Sequence, residues 1–200
     1  MKDTKEHILE TVFILFLQKS FKAVTMQEIV KQAGISKGAF YHYFASKEQV
    51  FEEIVNQYFM RLVDMGFDQF STDSLQAFYT DLLHVFDSQN ELMKQMKTVQ
   101  KSGGSFNFYA LVFEALKIVP AFKKKFFEIL EQERKAWIKI VKIAQKNHEI
   151  RSDLKAEKIA KLFIYANDGV GIRYIIDNDI ESMREEITAV YKNLYDLLKT

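Results

Sequence analysis

Three hydroxyl side chains stand where helices should begin, and they open the chemistry of this sequence. Thr25 precedes Met26-Gln27-Glu28, Ser36 precedes Lys37-Gly38-Ala39, and Ser46 precedes Lys47-Glu48-Gln49. A Ser or Thr at that place accepts a hydrogen bond from a first-turn amide, and a Glu or Gln three residues on reaches back to the cap's own amide. Thr25 with Glu28 and Ser46 with Gln49 therefore read as capping boxes, while Ile35 and Phe40 flank Ser36 at the spacing of a hydrophobic staple. This is hydrogen-bonding chemistry rather than bond making. There is no cysteine, so thiolate metal sites and thiol nucleophiles are excluded, and His7, His42, His84 and His148 have no metal-ligand spacing. No phosphate loop, dinucleotide glycine pattern or nucleophile elbow is present, and the chain is expected not to be an enzyme and to carry no cofactor or metal.

The elements that position these residues are helices. Seven glycines and one proline in 200 residues, with apolar positions recurring at threes and fours, predict an all-α protein. A first helix runs from Asp3 to Lys19 with Ile8, Val12, Leu15 and Phe16 on one face. A second, Met26 to Ala33, stops at Gly34, the residue best able to turn left-handed at a helix end. A third spans Lys37 to Tyr43, and a long fourth is expected over Lys47 to Phe70. Two short helices joined by a tight glycine turn, with supporting helices on both sides, form the arrangement of a helix-turn-helix reader whose second short helix enters the DNA major groove. That spacing alone also fits other helical hairpins.

The stretch from Thr25 to Glu48, TMQEIVKQAGISKGAFYHYFASKE, resembles the signature of the tetracycline-repressor (TetR) family of bacterial transcriptional regulators. The resemblance covers about the first 60 residues. It implies a helix-turn-helix DNA-binding domain, residues 1–46, followed by a helical-bundle effector-binding and dimerisation domain, residues 47–200. It further implies a homodimer on palindromic double-stranded operator DNA, acting as a repressor that lets go when a small molecule binds. By the family pattern Thr25 and Ser36 stand at helix starts near phosphate. Lys37, Gly38 and Ala39 fall where the recognition helix meets base edges. Tyr41, His42 and Tyr43 fall at phosphate or base contacts, and Lys47 falls at a phosphate contact. The residue types suit those roles: helix N-termini attract anions, Gly38 and Ala39 permit close backbone approach, and Lys37 can donate to guanine O6 or N7.

Two departures stand out. Where many members have histidine just before the phenylalanine that closes the third helix, this chain has Tyr43, with His42 one place earlier. Residues 1–50 also contain no arginine, so the bidentate arginine–guanine fork is missing and sequence preference leans on DNA shape and thymine methyls. Charge is only mildly asymmetric: seven lysines face five acids in residues 1–50, a net of +2, within a whole-chain net of +1.

Beyond the fourth helix the chain reads as a bundle with segments over 73–88, 91–101, 106–119, 120–146, 155–177 and 181–199. The last two are the expected two-fold interface, through Leu162, Ala166 and Val170 on one and Met183, Ile187, Val190, Tyr191 and Leu194 on the other. The aromatic excess, 14% of residues, suggests room for a small apolar or aromatic effector. Candidate lining residues are Phe86, Met93, Met96, Phe106, Phe108, Tyr109, Phe113, Trp137, Phe163 and Asn167. No segment reads as a signal or membrane span, and a cytoplasmic location is expected. A helical ligand-carrying or protein-interaction module that does not bind DNA is the competing reading.

Overall fold

The computed structural model describes residues 4–60, 65–88, 108–177 and 179–200, and those residues form nine α-helices. They fall into two compact units, residues 1–63 with 91–126 and residues 64–90 with 127–200.

In the first unit α1 (Thr4–Lys19) is the centre. Sequence periodicity assigns it one buried face, yet Leu9, Phe13 and Leu17 are buried along with Ile8, Val12, Leu15 and Phe16. The reason is that α2 (Met26–Gln32), α4 (Lys47–Ile54) and α6 (Phe108–Ile118) all pack on it. A ring cluster locks these elements: Phe16 lies 5.5 Å from Phe51, Phe21 lies 4.6 Å from Phe51, and Phe13 stacks at 4.5 Å on Tyr58. Each such ring stabilises the unit by about 1.5–3 kcal/mol through burial. Between α2 and α4 lies α3 (Lys37–Tyr43). The fourth helix is shorter than its apolar pattern suggests. It passes into a π-helical turn over Val55–Phe59, and Gly66 is already left-handed at φ +64°, ahead of a 3-10 turn at Phe67–Gln69. A helix cannot run through that backbone to Phe70.

The second unit is built from α5 (Leu75–Ser88), the part of α7 (Pro120–Lys146) beyond residue 126, α8 (Ala156–Ile176) and α9 (Ile180–Leu198). Pro120 opens its helix, where a missing amide hydrogen costs nothing. The core gathers Leu75, Phe78 and Leu82 of α5, Trp137, Ile140 and Val141 of α7, Ile159 and Phe163 of α8, and Ile187 and Tyr191 of α9. Trp137 stacks on Phe163 at 4.8 Å and meets Phe78 edge-on at 4.9 Å. The Glu149 carboxylate accepts from the Leu75 amide at 3.0 and 3.1 Å and so caps α5. Among the described residues no helix is long and apolar enough to cross a membrane.

Candidate nucleic-acid interface

The α2–turn–α3 element is held by local hydrogen bonds at each place where a cap is expected. Thr25 Oγ1 accepts from the Glu28 amide at 3.2 Å while Glu28 accepts from the Thr25 amide at 2.9 Å, completing the capping box. Glu28 also accepts from Lys19 at 2.5 Å. That ammonium, together with the Thr25 amide and hydroxyl, holds the Glu28 carboxyl down at about 2. A carboxylate at the start of α2 would repel phosphate, and Lys19 offsets its charge. Ser36 Oγ accepts from the Ala39 amide at 3.0 Å. At α4 Ser46 accepts from the Gln49 amide at 3.2 Å, but Gln49 reaches past the cap to the Ala45 amide at 2.6 Å, one residue earlier than a capping box requires.

Gly34 sits in the turn at φ +65° with nothing near the place of a Cβ, so the backbone conformation is what calls for glycine. Gly38 differs. It lies inside α3, exposed, and a Cβ there would meet only Ser36 Oγ at 3.9 Å. Glycine costs up to about 1 kcal/mol relative to alanine in a helix interior and less in the first turn, where Gly38 stands, and neither the backbone nor the packing of the described residues requires it at this position.

On the outer side of α3 Lys37 and Tyr41 are exposed one turn apart, with the Lys37 ammonium 5.9 Å from the Tyr41 ring centre. His42 is exposed and Tyr43 half-buried, their rings 5.1 Å apart and edge-on. Phe40 and Phe44 are fully buried beneath that surface. Thr25 and Ser36 are exposed and Ala39 half-buried. Lys47 has a structural task that its sequence position does not reveal. Its ammonium donates to the carbonyls of Phe21 at 2.9 Å and Val24 at 2.8 Å, and lies 4.5 Å over the Phe21 ring. It ties the segment ahead of α2 to the start of α4.

The expected effector residues divide between the two units. Tyr109 is half-buried and Phe113 is 58% exposed on α6, while Trp137 and Phe163 are fully buried and Asn167 half-buried in the second unit. Met93, Met96 and Phe106, with the side chains of Phe86 and Phe108, lie outside the described residues. The second unit also carries an open groove of about 440 Å³ that sequence reading missed, between α5 and α9, with His84, Arg184 and Lys192 among its walls.

Of the expected interface residues, Leu162 is exposed and Ala166, Val170, Met183, Val190 and Leu194 are half-buried. Ile187 and Tyr191 are buried inside their own unit. Among the described residues the large apolar side chains left in solvent on α8 are Leu162, Tyr165, Ile172 and Ile176, spaced three, seven and four apart on the side away from Phe163, and on α9 Leu197. That spacing was visible in the sequence.

Comparison with known proteins agrees with this geometry. Residues 8–54 match the model of the bacterial regulatory proteins of the tetR family. The uncharacterized HTH-type transcriptional regulator YuxN of Bacillus subtilis (strain 168) is 46% identical over 59 residues, a match that covers 30% of this chain and spans a fifth of YuxN's length. The HTH-type transcriptional repressor DhaR of Mycobacterium sp. (strain GP1) is 23% identical over 196 residues, covering 95% of this chain and 91% of DhaR. The solved structure of the ketosteroid transcriptional regulator KstR2 of Mycobacterium tuberculosis shares the fold, with a TM-score of 0.66 at 20% identity over 100% of this chain and 97% of that one.

Proposed function

We propose that this chain, whose residues 8–54 match the model of the bacterial regulatory proteins of the tetR family, is a homodimeric DNA-binding repressor of that family, released from its operator by a small molecule. DNA reading belongs to residues 1–46, and effector binding with dimerisation to residues 47–200. The observation that carries the DNA-reading part is Gly38: an unforced glycine on the exposed face of a capped short helix, beside Lys37 and Tyr41. A bare backbone there lets α3 approach base edges closely, Lys37 supplies a donor for guanine, and Tyr41 and His42 supply phosphate or base contacts. Thr25 and Ser36 present helix starts to phosphate. Lys47 acts mainly by fixing the turn before α2, which sets the position of Thr25.

Two recognition helices must be about 34–36 Å apart to enter successive major grooves, so the protein reads a palindrome only as a dimer. The exposed stripe of α8, with α9 beside it, supplies the apolar surface for that pairing. An effector releases DNA by favouring a state in which this spacing no longer fits, and effector and operator then weaken each other's binding equally. Selection of bound fragments from a genomic library tests the reading. Enrichment of a palindrome, lost with Lys37→Ala and weakened by salt, supports it. Equal recovery of all fragments by both proteins overturns it.

A further inference from the structure

Three polar atoms of the second unit are buried without a hydrogen-bond partner among the described residues: Trp137 Nε1, Tyr191 Oη and Asn167 Oδ1. Leaving such groups unmatched costs about 1–3 kcal/mol each, so their concentration in one place calls for an explanation. Trp137 and Tyr191 are both fully buried, with ring centres 5.6 Å apart, and Phe163 touches both at 4.8 and 5.5 Å. Asn167 follows Phe163 by one turn on α8, and Glu133 precedes Trp137 by one turn on α7. Burial, reinforced by the charge of Asp168, pushes the Glu133 carboxyl up to about 7, and partial burial raises Asp168 as well. The charges of Glu133 and Asp168 both reach Tyr191. Among the described residues no lysine or arginine pairs with either carboxyl. The helices that carry the Trp137, Phe163 and Tyr191 rings thus also carry two carboxyls unpaired among the described residues, the Asn167 amide oxygen and the Tyr191 phenol, which can accept or donate, while the Trp137 N–H is the one orphan group of the three that can only donate.

We infer that Glu133, Trp137, Phe163, Asn167, Asp168 and Tyr191 form a recognition site for an organic cation, a protonated amine borne on an apolar or aromatic body. The ammonium hydrogens satisfy Asn167 Oδ1 and Tyr191 Oη, and the carboxyls supply the opposite charge. The rings receive the apolar body and add cation–π attraction, strongest where water is excluded. An anionic ligand would meet two carboxyls with no cation to offset them, and a neutral hydrocarbon would leave the orphan acceptors unmatched. Asp168 stands on the exposed side of α8, at the outer edge of this set, while Trp137 and Tyr191 lie at its base. The inference takes the effector part of the reading above and gives it a chemical class.

The test uses the full chain and the fluorescence of Trp137, its one tryptophan. The probes are 2-phenylethylamine, 2-phenylethanol and 3-phenylpropionate, matched bodies with positive, neutral and negative ends. The amine is expected to shift the Trp137 emission and to bind roughly tenfold tighter than either analogue, a preference of about 1.4 kcal/mol. Glu133→Gln with Asp168→Asn, nearly isosteric changes whose fold is checked by thermal melting, is expected to erase that preference. Silence of all three probes, equal binding of amine and alcohol, or a preference that survives the double substitution overturns the inference. Repeating the titration on operator-bound protein separates the two readings. Amine binding that frees the DNA supports both, whereas amine binding with the DNA retained upholds the cation site and rejects its role as the effector switch.

Discussion

Polar groups are treated in opposite ways in the two units. Around α2 and α3 they are matched inside the unit: Thr25 with Glu28 and Ser36 with Ala39 locally, and Glu28 with Lys19 and Lys47 with the carbonyls of Phe21 and Val24 across elements. In the second unit Trp137, Asn167 and Tyr191 bury polar atoms unmatched among the described residues, and no described lysine or arginine pairs with Glu133 or Asp168. A reading element must hold its helices in one arrangement before it meets DNA, and hydrogen bonds within the unit do this without help from outside. A sensing element gains from the reverse, because groups left unsatisfied in the free protein give a ligand something to stabilise.

Substitutions can break this contrast in order of size. Phe40→Ala removes a fully buried ring from under the reading surface and is expected to cost about 3–5 kcal/mol. It should abolish DNA binding, and a urea titration with a DNA-binding assay checks both. Lys47→Ala strips the donor from two carbonyls and is expected to destabilise the first unit by about 1–3 kcal/mol. Equal stability of variant and parent in the same titration would show that Lys47 has no structural task. Tyr191→Phe should behave in the opposite sense, leaving stability unchanged or raising it by up to about 1 kcal/mol, because it deletes a phenol that has no partner. A clear loss of melting temperature would mean that the second unit's core is satisfied after all.

Acid gives the gentlest probe. Glu28 is held at about 2 by Lys19 and Thr25, below the ordinary value of 4.5. Its contribution is therefore fully present above about pH 4.5 and is lost as pH falls from there through 2. Thermal melts across that window should show a loss that Glu28→Gln lacks, small because the group is exposed and screened.

Much of the reading element was legible because its signals are local. A cap is a hydroxyl followed by an acid or amide three residues on, and Gly34 marks a left-handed turn whatever packs nearby, so α1, α2 and α3 lie within a residue of their expected bounds. The end of α4 was misread because apolar spacing continues past Met60, whereas the backbone turns π-helical over Val55–Phe59 and is left-handed at Gly66. What α9 does with its apolar stripe was not legible. Ile187 and Tyr191 satisfy the same periodicity whether they face their own core or a second copy, and only the packing of α5, α7 and α8 around them decides it. The cation site was invisible for a similar reason. Trp137, Phe163 and Asn167 were candidates by type, but nothing in the spacing of Glu133 and Asp168, on different helices, links them to one another or to Tyr191.

If α3 meets DNA with a bare backbone, Gly38→Ala should separate stability from operator binding. Nothing among the described residues obstructs the added methyl, so the variant is expected to be as stable as the parent or more stable by up to about 0.5 kcal/mol. The account predicts that this variant binds the selected operator at least tenfold more weakly, the methyl now standing between helix and groove, a loss of about 1.4 kcal/mol or more. Undiminished operator binding by the variant would contradict it.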